Sequence, residues 1–322
     1  MTSENSLRVA ICICTFKRQE LLRELLAGIA QLTFPKGRPL QIEIVVVDND
    51  ELASAKQICD SVSVLWPIKY VIEPRRGITY ARNRAVAEVS AADFVAFIDD
   101  DEIPSVRWLN ELLSIQAEFG ADVVSGPVSP RYSATVPDWV KNGGFFDKPV
   151  SATGLTRRAS TNNVLIGTHV LRNIGGFDHA FALSGGEDAH FFLRVLNAGY
   201  NIAWSPEALV FEAVSVQRGT IAWLLRREYQ TGNGWVFCEA SMDNRFRSWL
   251  LRFSKACGHI AIGSLEAVWW SVRLKKSAFV RSLQRVTLGF GMLAALAGHR
   301  FLAYQSASVK ELRTLTSVTN RP

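Results

Sequence analysis

Nothing in this 322-residue sequence supports a disulfide framework. Its five cysteines (Cys12, Cys14, Cys59, Cys238, Cys257) are odd in number and widely scattered, and Cys12-Ile13-Cys14 is no metal-ligand spacing. They read as reduced thiols of a cytosolic protein. Met1-Thr2-Ser3-Glu4-Asn5 has neither a basic start nor a signal-type apolar core, so the expectation is no export. No stretch reaches the ~20 apolar residues of a confident membrane span. Zinc fingers, RNA-binding aromatic motifs and a long basic arm are also missing, which argues against nucleic acid as a partner.

What is present is a globular composition, 48% hydrophobic and 20% charged, with an uneven net charge of +6. From Arg245 to Arg300 there are ten Lys or Arg against one acid, Glu266, leaving the remainder slightly acidic. Trp249, Trp269 and Trp270 lie in this segment beside Arg252, Arg273, Lys275 and Lys276. Basic helices carrying tryptophan fit a membrane interface, so the expected partner is the inner-leaflet surface, with the protein peripheral at the cytoplasmic face of the plasma membrane; the alternative is a helical lid on the catalytic domain with its cations in solvent.

The first half alternates apolar runs with amphipathic segments. Val9 to Cys14, Ile42 to Val47, Lys69 to Ile72 and Phe94 to Ile98 predict strands, and Ala121 to Ser125 begins another. Leu21, Leu22, Leu25, Leu26 and Ile29 share one helical face; Tyr80 to Val89 and Trp108 to Phe119 predict further helices, with Pro104 at the start of the latter. This alternation predicts an α/β fold, a mostly parallel sheet with helices on both faces and its ligand beyond the carboxyl ends of the strands. Residues 129 to 163, rich in Pro and Gly, predict a long functional connection; strands follow at Val164 to Ile166 and around Ile202 and Val210, with a helix from Asp188 to Ala198 between them. From Thr220 the pattern is helical. The expected division is a catalytic domain over 1–235 and a helical basic segment over 236–322.

The sharpest local feature is Asp99-Asp100-Asp101-Glu102, directly after an apolar strand. Alternate residues of extended chain point the same way, so Asp99 and Asp101 are the pair expected to share a ligand, with Asp100 a bystander. Hard oxygen donors beside a nucleotide diphosphate suit Mg²⁺ or Mn²⁺. Glu187 and Asp188 follow Gly185-Gly186 at a helix start, where a carboxylate either caps the helix or, facing an acceptor hydroxyl, serves as general base. Asp48 and Thr15 end two further strands, and Arg75-Arg76-Gly77 with Arg82 brings cations suited to phosphate.

In this ordered set the chain, over roughly residues 8 to 232, resembles glycosyltransferase family 2, inverting enzymes of GT-A fold. Ile13-Cys14-Thr15-Phe16-Lys17-Arg18 resembles the family's first nucleotide-binding turn, and Val45-Val46-Val47-Asp48-Asn49-Asp50 its second, whose Asp meets the uracil. Gly77 with Ala81-Arg82-Asn83 fits the next helix start. Asp99-Asp100-Asp101 takes the DXD position, implying Asp101 as metal ligand and Asp99 as a ribose or metal contact. Gly175-Gly176-Phe177-Asp178 followed by Gly186-Glu187-Asp188 resembles the acceptor-side block, whose final Asp is the implied base. The resemblance implies a UDP-sugar donor and a glycan or lipid-linked oligosaccharide acceptor, and is strongest to bacterial exopolysaccharide transferases of the succinoglycan type. Two departures stand out. Glu212 lies where many members carry a metal-binding His, and the Gln-x-x-Arg-Trp motif of processive synthases is missing near Arg226 to Gly232, which favours addition of one sugar. The rival readings are a nucleotide- or glycan-binding subunit without turnover and a sugar nucleotidyltransferase; the latter lacks its glycine-rich loop after the first strand.

Overall fold

The computed structural model describes residues 6–303 except 36–38, 90, 149–150 and 244. The N-terminal pentapeptide and the tail 304–322 lie outside the described residues. In chain order the elements are β1 (Leu7–Thr15), α1 (Gln19–Ile29), β2 (Leu40–Asp48), α2 (Lys56–Ser61), β3 (Ile68–Ile72), α3 (Ile78–Glu88), β4 (Phe94–Ile98), β5 (Glu102–Pro104) and α4 (Trp108–Phe119). They continue as β6 (Val123–Ser125), β7 (Val128–Tyr132), α5 (Asp138–Lys141), β8 (Gly154–Thr156), β9 (Asn163–Gly167), α6 (Thr168–Ile174), α7 (Glu187–Asn197), β10 (Ile202–Trp204) and β11 (Val210–Val214). Three long helices close the described chain: α8 (Ile221–Met242), α9 (Phe246–Val272) and α10 (Lys276–Leu296).

The continuous apolar run of β1 marks a strand covered on both sides, and its alternation assigns the two covers. Val9, Ile11 and Ile13 pack with Ile42, Ile44 and Val46 of β2 against Leu22, Leu25 and Leu26 of α1 and Leu109 and Leu112 of α4. Ala10 and Cys12 face the opposite layer, which holds Ala81 and Ala85 of α3 and Phe191, Phe192 and Val195 of α7. Between these layers runs an eight-stranded sheet of order β3-β2-β1-β4-β9-β6-β10-β8. The parallel pairs β1/β2, β2/β3, β1/β4 and β6/β10 set its direction, while β9 and β8 run against it. The fold is therefore the mixed α/β class, with a large, mostly parallel sheet and C-terminal helices. No disulfide joins the five cysteines.

Two local expectations need correction. Pro104 does not start α4; it ends β5, and the helix opens four residues on, at Trp108. Residues 129 to 163 are not one open connection, because β7 forms at the start and α5 and β8 form within it. β7 joins β5 and β11 in a second sheet of order β5-β11-β7, which puts Glu212 opposite Glu102.

By its internal contacts the chain comprises two compact units, one of residues 1–136, 146–178 and 188–215 and another of 137–145, 179–187 and 216–322. In the second unit, α8, α9 and α10 pack through glycine. A methyl group on Gly232 would lie 2.2 Å from the Leu288 carbonyl oxygen, and one on Gly291 equally close to that of Tyr229. On the α9 side, Gly263 and Gly289 meet the carbonyls of Ser282 and Ala256 in the same way. Arg252, expected at the surface, turns inward: it is buried and donates to Glu239 Oε2 at 3.1 Å. Among the described residues no helix is long and apolar enough to cross a membrane. Gly232→Ala and Gly291→Ala should each cost about 1–3 kcal/mol through overpacking. Urea denaturation checks this, with the solvent-open Gly258→Ala as control.

Candidate active site

Parallel pairing sets the ends of β1 and β4 side by side, so the turn after β1 meets the aspartate run. Thr15 Oγ1 donates to Asp100 Oδ2 at 2.8 Å, and Arg18 donates to Asp100 Oδ1 at 2.9 Å while lying 3.3 Å from Asp101 Oδ2. Asp100, set aside as a bystander, is thus the residue that joins the two strand ends. Asp99 is partly exposed, its Oδ1 3.5 Å from the guanidinium of the buried Arg82. Asp101 is largely enclosed; burial and then the charge of Asp99 raise its carboxyl to about 6, against the pull of Arg18.

Behind this row stands a second one. Glu102 is buried and accepts from the Asp99 amide at 3.1 Å and from Asn162 Nδ2 at 2.8 Å. Burial, with Asp99 adding to it, pushes its carboxyl well above the usual range. Glu212 is paired with Lys148 at 3.0 Å. Glu102, Asn162 and the Lys148–Glu212 pair escape a reading of the sequence, since each depends on partners tens of residues away. The available signals were the fourth acid of the Asp99-to-Glu102 run and the departure at Glu212.

The donor chemistry fits a hard divalent cation: enclosed carboxylates lying close together are what such an ion relieves. Among the described residues, however, no group of three or more His, Cys, Asp or Glu is arranged to hold a metal. The fit is that of one or two carboxylates completed by a ligand's phosphate oxygens, the usual protein share for Mg²⁺.

The end of β2 organises the neighbouring loops. Asp48, expected at the base, is fully buried. Its carboxylate accepts from Ala55 N at 2.7 Å, Tyr70 Oη at 2.9 Å and Asp50 N at 3.1 Å. Asn49 reaches across to the loop after β3, donating to the carbonyls of Glu73 and Arg75 at 2.7 Å and accepting from Gly77 N at 2.9 Å. Gly77 opens α3 at φ 135°, a conformation that favours glycine. Arg76 is exposed and its guanidinium lies 3.6 Å from the centre of the Phe16 ring, forming one flat edge.

The acceptor-side blocks are physically joined. Asn83 of α3 donates to the Phe177 carbonyl at 2.7 Å and accepts its amide at 2.8 Å, a two-point clamp. The Phe177 ring packs on Phe191 of α7 at 4.7 Å and on Phe97 of β4 at 5.8 Å. Arg194 of α7 donates to the carbonyls of Ile174 and Gly176. Glu187 and Asp188 open that helix: Glu187 is buried, while Asp188 is partly exposed with Oδ1 accepting the Ala189 amide at 2.7 Å. The geometry thus unites Thr15, Arg18, Asp99 and Asp101 through Asp100 and Arg82, pairs Phe16 with Arg76, and leaves Asp48 and Gly77 in the loop clamps. Asp188 makes its bond within its own helix.

Asp48→Ala should cost about 1–3 kcal/mol for each buried donor it strands, whereas Tyr70→Phe should cost only about 1 kcal/mol. Thermal denaturation of both variants tests the ranking.

Residues 10–178 match the sequence model described as Glycosyl transferase family 2. The succinoglycan biosynthesis protein ExoM of Rhizobium meliloti (strain 1021) is 38% identical over 231 residues, covering 70% of this chain and 74% of ExoM. S. aureus TarS 1-349, solved in complex with UDP-GlcNAc, aligns over 94% of this chain and 98% of its own, with TM-score 0.52 and 14% identity. The mannosyltransferase PcManGT from Pyrobaculum calidifontis, solved with GDP-Man and Mn²⁺, covers 99% and is itself covered to 82%, with TM-score 0.54 and 18% identity. These two likenesses show the fold, that of GT-A glycosyltransferases.

Proposed function

This chain belongs to glycosyl transferase family 2, and from that premise we propose that it is a metal-dependent, inverting enzyme that adds one sugar to a growing glycan. The donor in this reading is a UDP-hexose. The acceptor is a glycan or lipid-linked oligosaccharide of bacterial exopolysaccharide or cell-surface polysaccharide synthesis. The carrying observation is the aspartate run presented at the end of β4 and tied to the β1 turn through Thr15, Arg18 and Asp100. Its 38% identity to ExoM supports the exopolysaccharide setting. In the same reading the enzyme works peripherally at the cytoplasmic face of the plasma membrane, with its catalytic domain over 1–235 and the basic helices over 236–322.

Each residue then has a task. Thr15, Phe16, Arg18, Arg76, Gly77, Arg82 and Asp99 form the nucleotide side. Phe16 and Arg76 offer a flat edge to the base, and the guanidiniums hold phosphate oxygens. Asp48 acts there by bracing the loop that encloses the base. Asp101 and Asp99 would hold Mg²⁺ or Mn²⁺, which supplies neutralisation of the diphosphate's charge. Glu212, already compensated by Lys148, stays out of that set. Asp188, with Glu187 beside it, takes the proton of the acceptor hydroxyl. The hydroxyl oxygen forms its bond to the anomeric carbon as the bond to the diphosphate breaks on the opposite face. The rival without turnover draws on the lack of a three-ligand metal group among the described residues. It predicts UDP-sugar binding without metal-dependent UDP release.

With Mn²⁺ present, the wild type should release UDP from a UDP-sugar, and chelation should abolish the release. Asp188→Asn should bind donor by calorimetry as the wild type does while turnover falls by roughly 10²–10⁴-fold. An equal loss of donor binding would move Asp188 to the metal or nucleotide side.

A further inference from the structure

Helix α9 has two unlike faces. Ala256 and Gly263 are buried against α10, and Arg252 turns inward with them. The opposite side is exposed and apolar: Leu250, Leu265 (73% exposed), Val268 (67%), Trp269 and Val272 (79%) recur at helical spacing, with Phe246 at the start. Solitary exposed apolar residues are ordinary, but the cluster Leu265, Val268, Trp269 and Val272 over the last two turns, on the same side as Phe246 and Leu250 at the start, marks a contact surface.

Charge selects what covers it. Arg247, Lys255, Arg273 and Lys275 are all exposed along the same helix and its end. The one acid of α9, Glu266, is neutralised by Arg285 at 2.7 Å, and Asp243, before the helix, by Arg245 at the same distance. A second copy laid on the stripe would bring like charges together, whereas an anionic lipid surface complements them. Arg273 stacks on the Trp269 ring at 4.3 Å, a pairing suited to the headgroup layer. We infer that α9 is the membrane-docking element: it lies in the plane of an anionic bilayer surface with the Leu265–Val268–Val272 stripe in the acyl boundary and its cations among the headgroups. This rests on the peripheral-membrane reading above and names the face that makes the contact.

The test is flotation of the full chain with phosphatidylcholine vesicles, with or without phosphatidylglycerol. Wild type is compared with Leu265→Glu/Val268→Glu and with Lys255→Glu/Lys275→Glu. Wild type should float with anionic vesicles at low salt. Each double variant should bind at least tenfold more weakly, since two lost cations at ~1 kcal/mol each correspond to about 30-fold and the lost apolar burial to no less. Circular dichroism and vesicle-free UDP-sugar hydrolysis should match the wild type, which separates lost docking from lost folding. Undiminished flotation of both variants would remove α9 as the docking face while leaving attachment in place. A wild type that floats with neither vesicle would overturn attachment itself. So would a wild-type dimer that the Leu265→Glu/Val268→Glu pair dissociates without any vesicle binding. Absence of UDP release by the wild type in solution would sink the catalytic reading instead, and leave the flotation result standing.

Discussion

A buried carboxylate held between a hydroxyl and a guanidinium governs the site. Asp100 accepts from Thr15 and Arg18, so the turn after β1 and the end of β4 cannot shift independently. An enclosed charge without such partners would be costly, and burial does push the Asp100 carboxyl upward while Arg18 opposes it. With Asp100 committed inward, Asp99 and Asp101 are left on either side of it with different environments. Asp99 is open to solvent, and Asp101 is enclosed beside Arg18 and Glu212. The chemistry assigned to the run therefore depends on its middle member being unavailable for it.

Much of the catalytic unit was legible because its signals are local. The run Val9 to Cys14, the Leu22-Leu25-Leu26-Ile29 face and the apolar strand Phe94 to Ile98 each carry their own periodicity, and all three formed where expected. The second sheet was not legible. Glu102-Ile103-Pro104 is short, polar at one end and closed by proline, and becomes a strand only because β11 lies beside it. The bracing role of Asp100 was not legible for a related reason: alternation says which way a side chain points, not what waits there 85 residues away in sequence. Asp48 shows the limit of motif reading. The motif located the carboxylate, but only the structure shows it spent on Ala55, Tyr70 and Asp50.

The Asn83–Phe177 clamp gives two separate sequence blocks a common physical basis. Asn83 holds the backbone of Phe177, and the Phe177 ring packs on α7 and β4. Gly176 permits this approach, since a methyl group there would lie 2.7 Å from Asn83 Oδ1. The same helix α3 sends Arg82 toward Asp99. One rigid helix thus serves the aspartate run from one residue and the support of α7 from the next, so a disturbance of α3 reaches both.

The glycine seams of the C-terminal helices have a consequence for how that unit spends its apolar residues. Where α8 and α9 meet α10, backbone lies against backbone at Gly232, Gly291, Gly263 and Gly289, and little side-chain volume is needed to fill the gap. Cohesion of the bundle is thereby uncoupled from its greasiness. Large hydrophobic side chains become surplus to internal packing and remain free to vary on the outer side without loosening the inner one. Such a bundle resembles a raft whose planks are pegged edge to edge: its outer surface can be re-dressed for a new environment while the joinery stays unchanged.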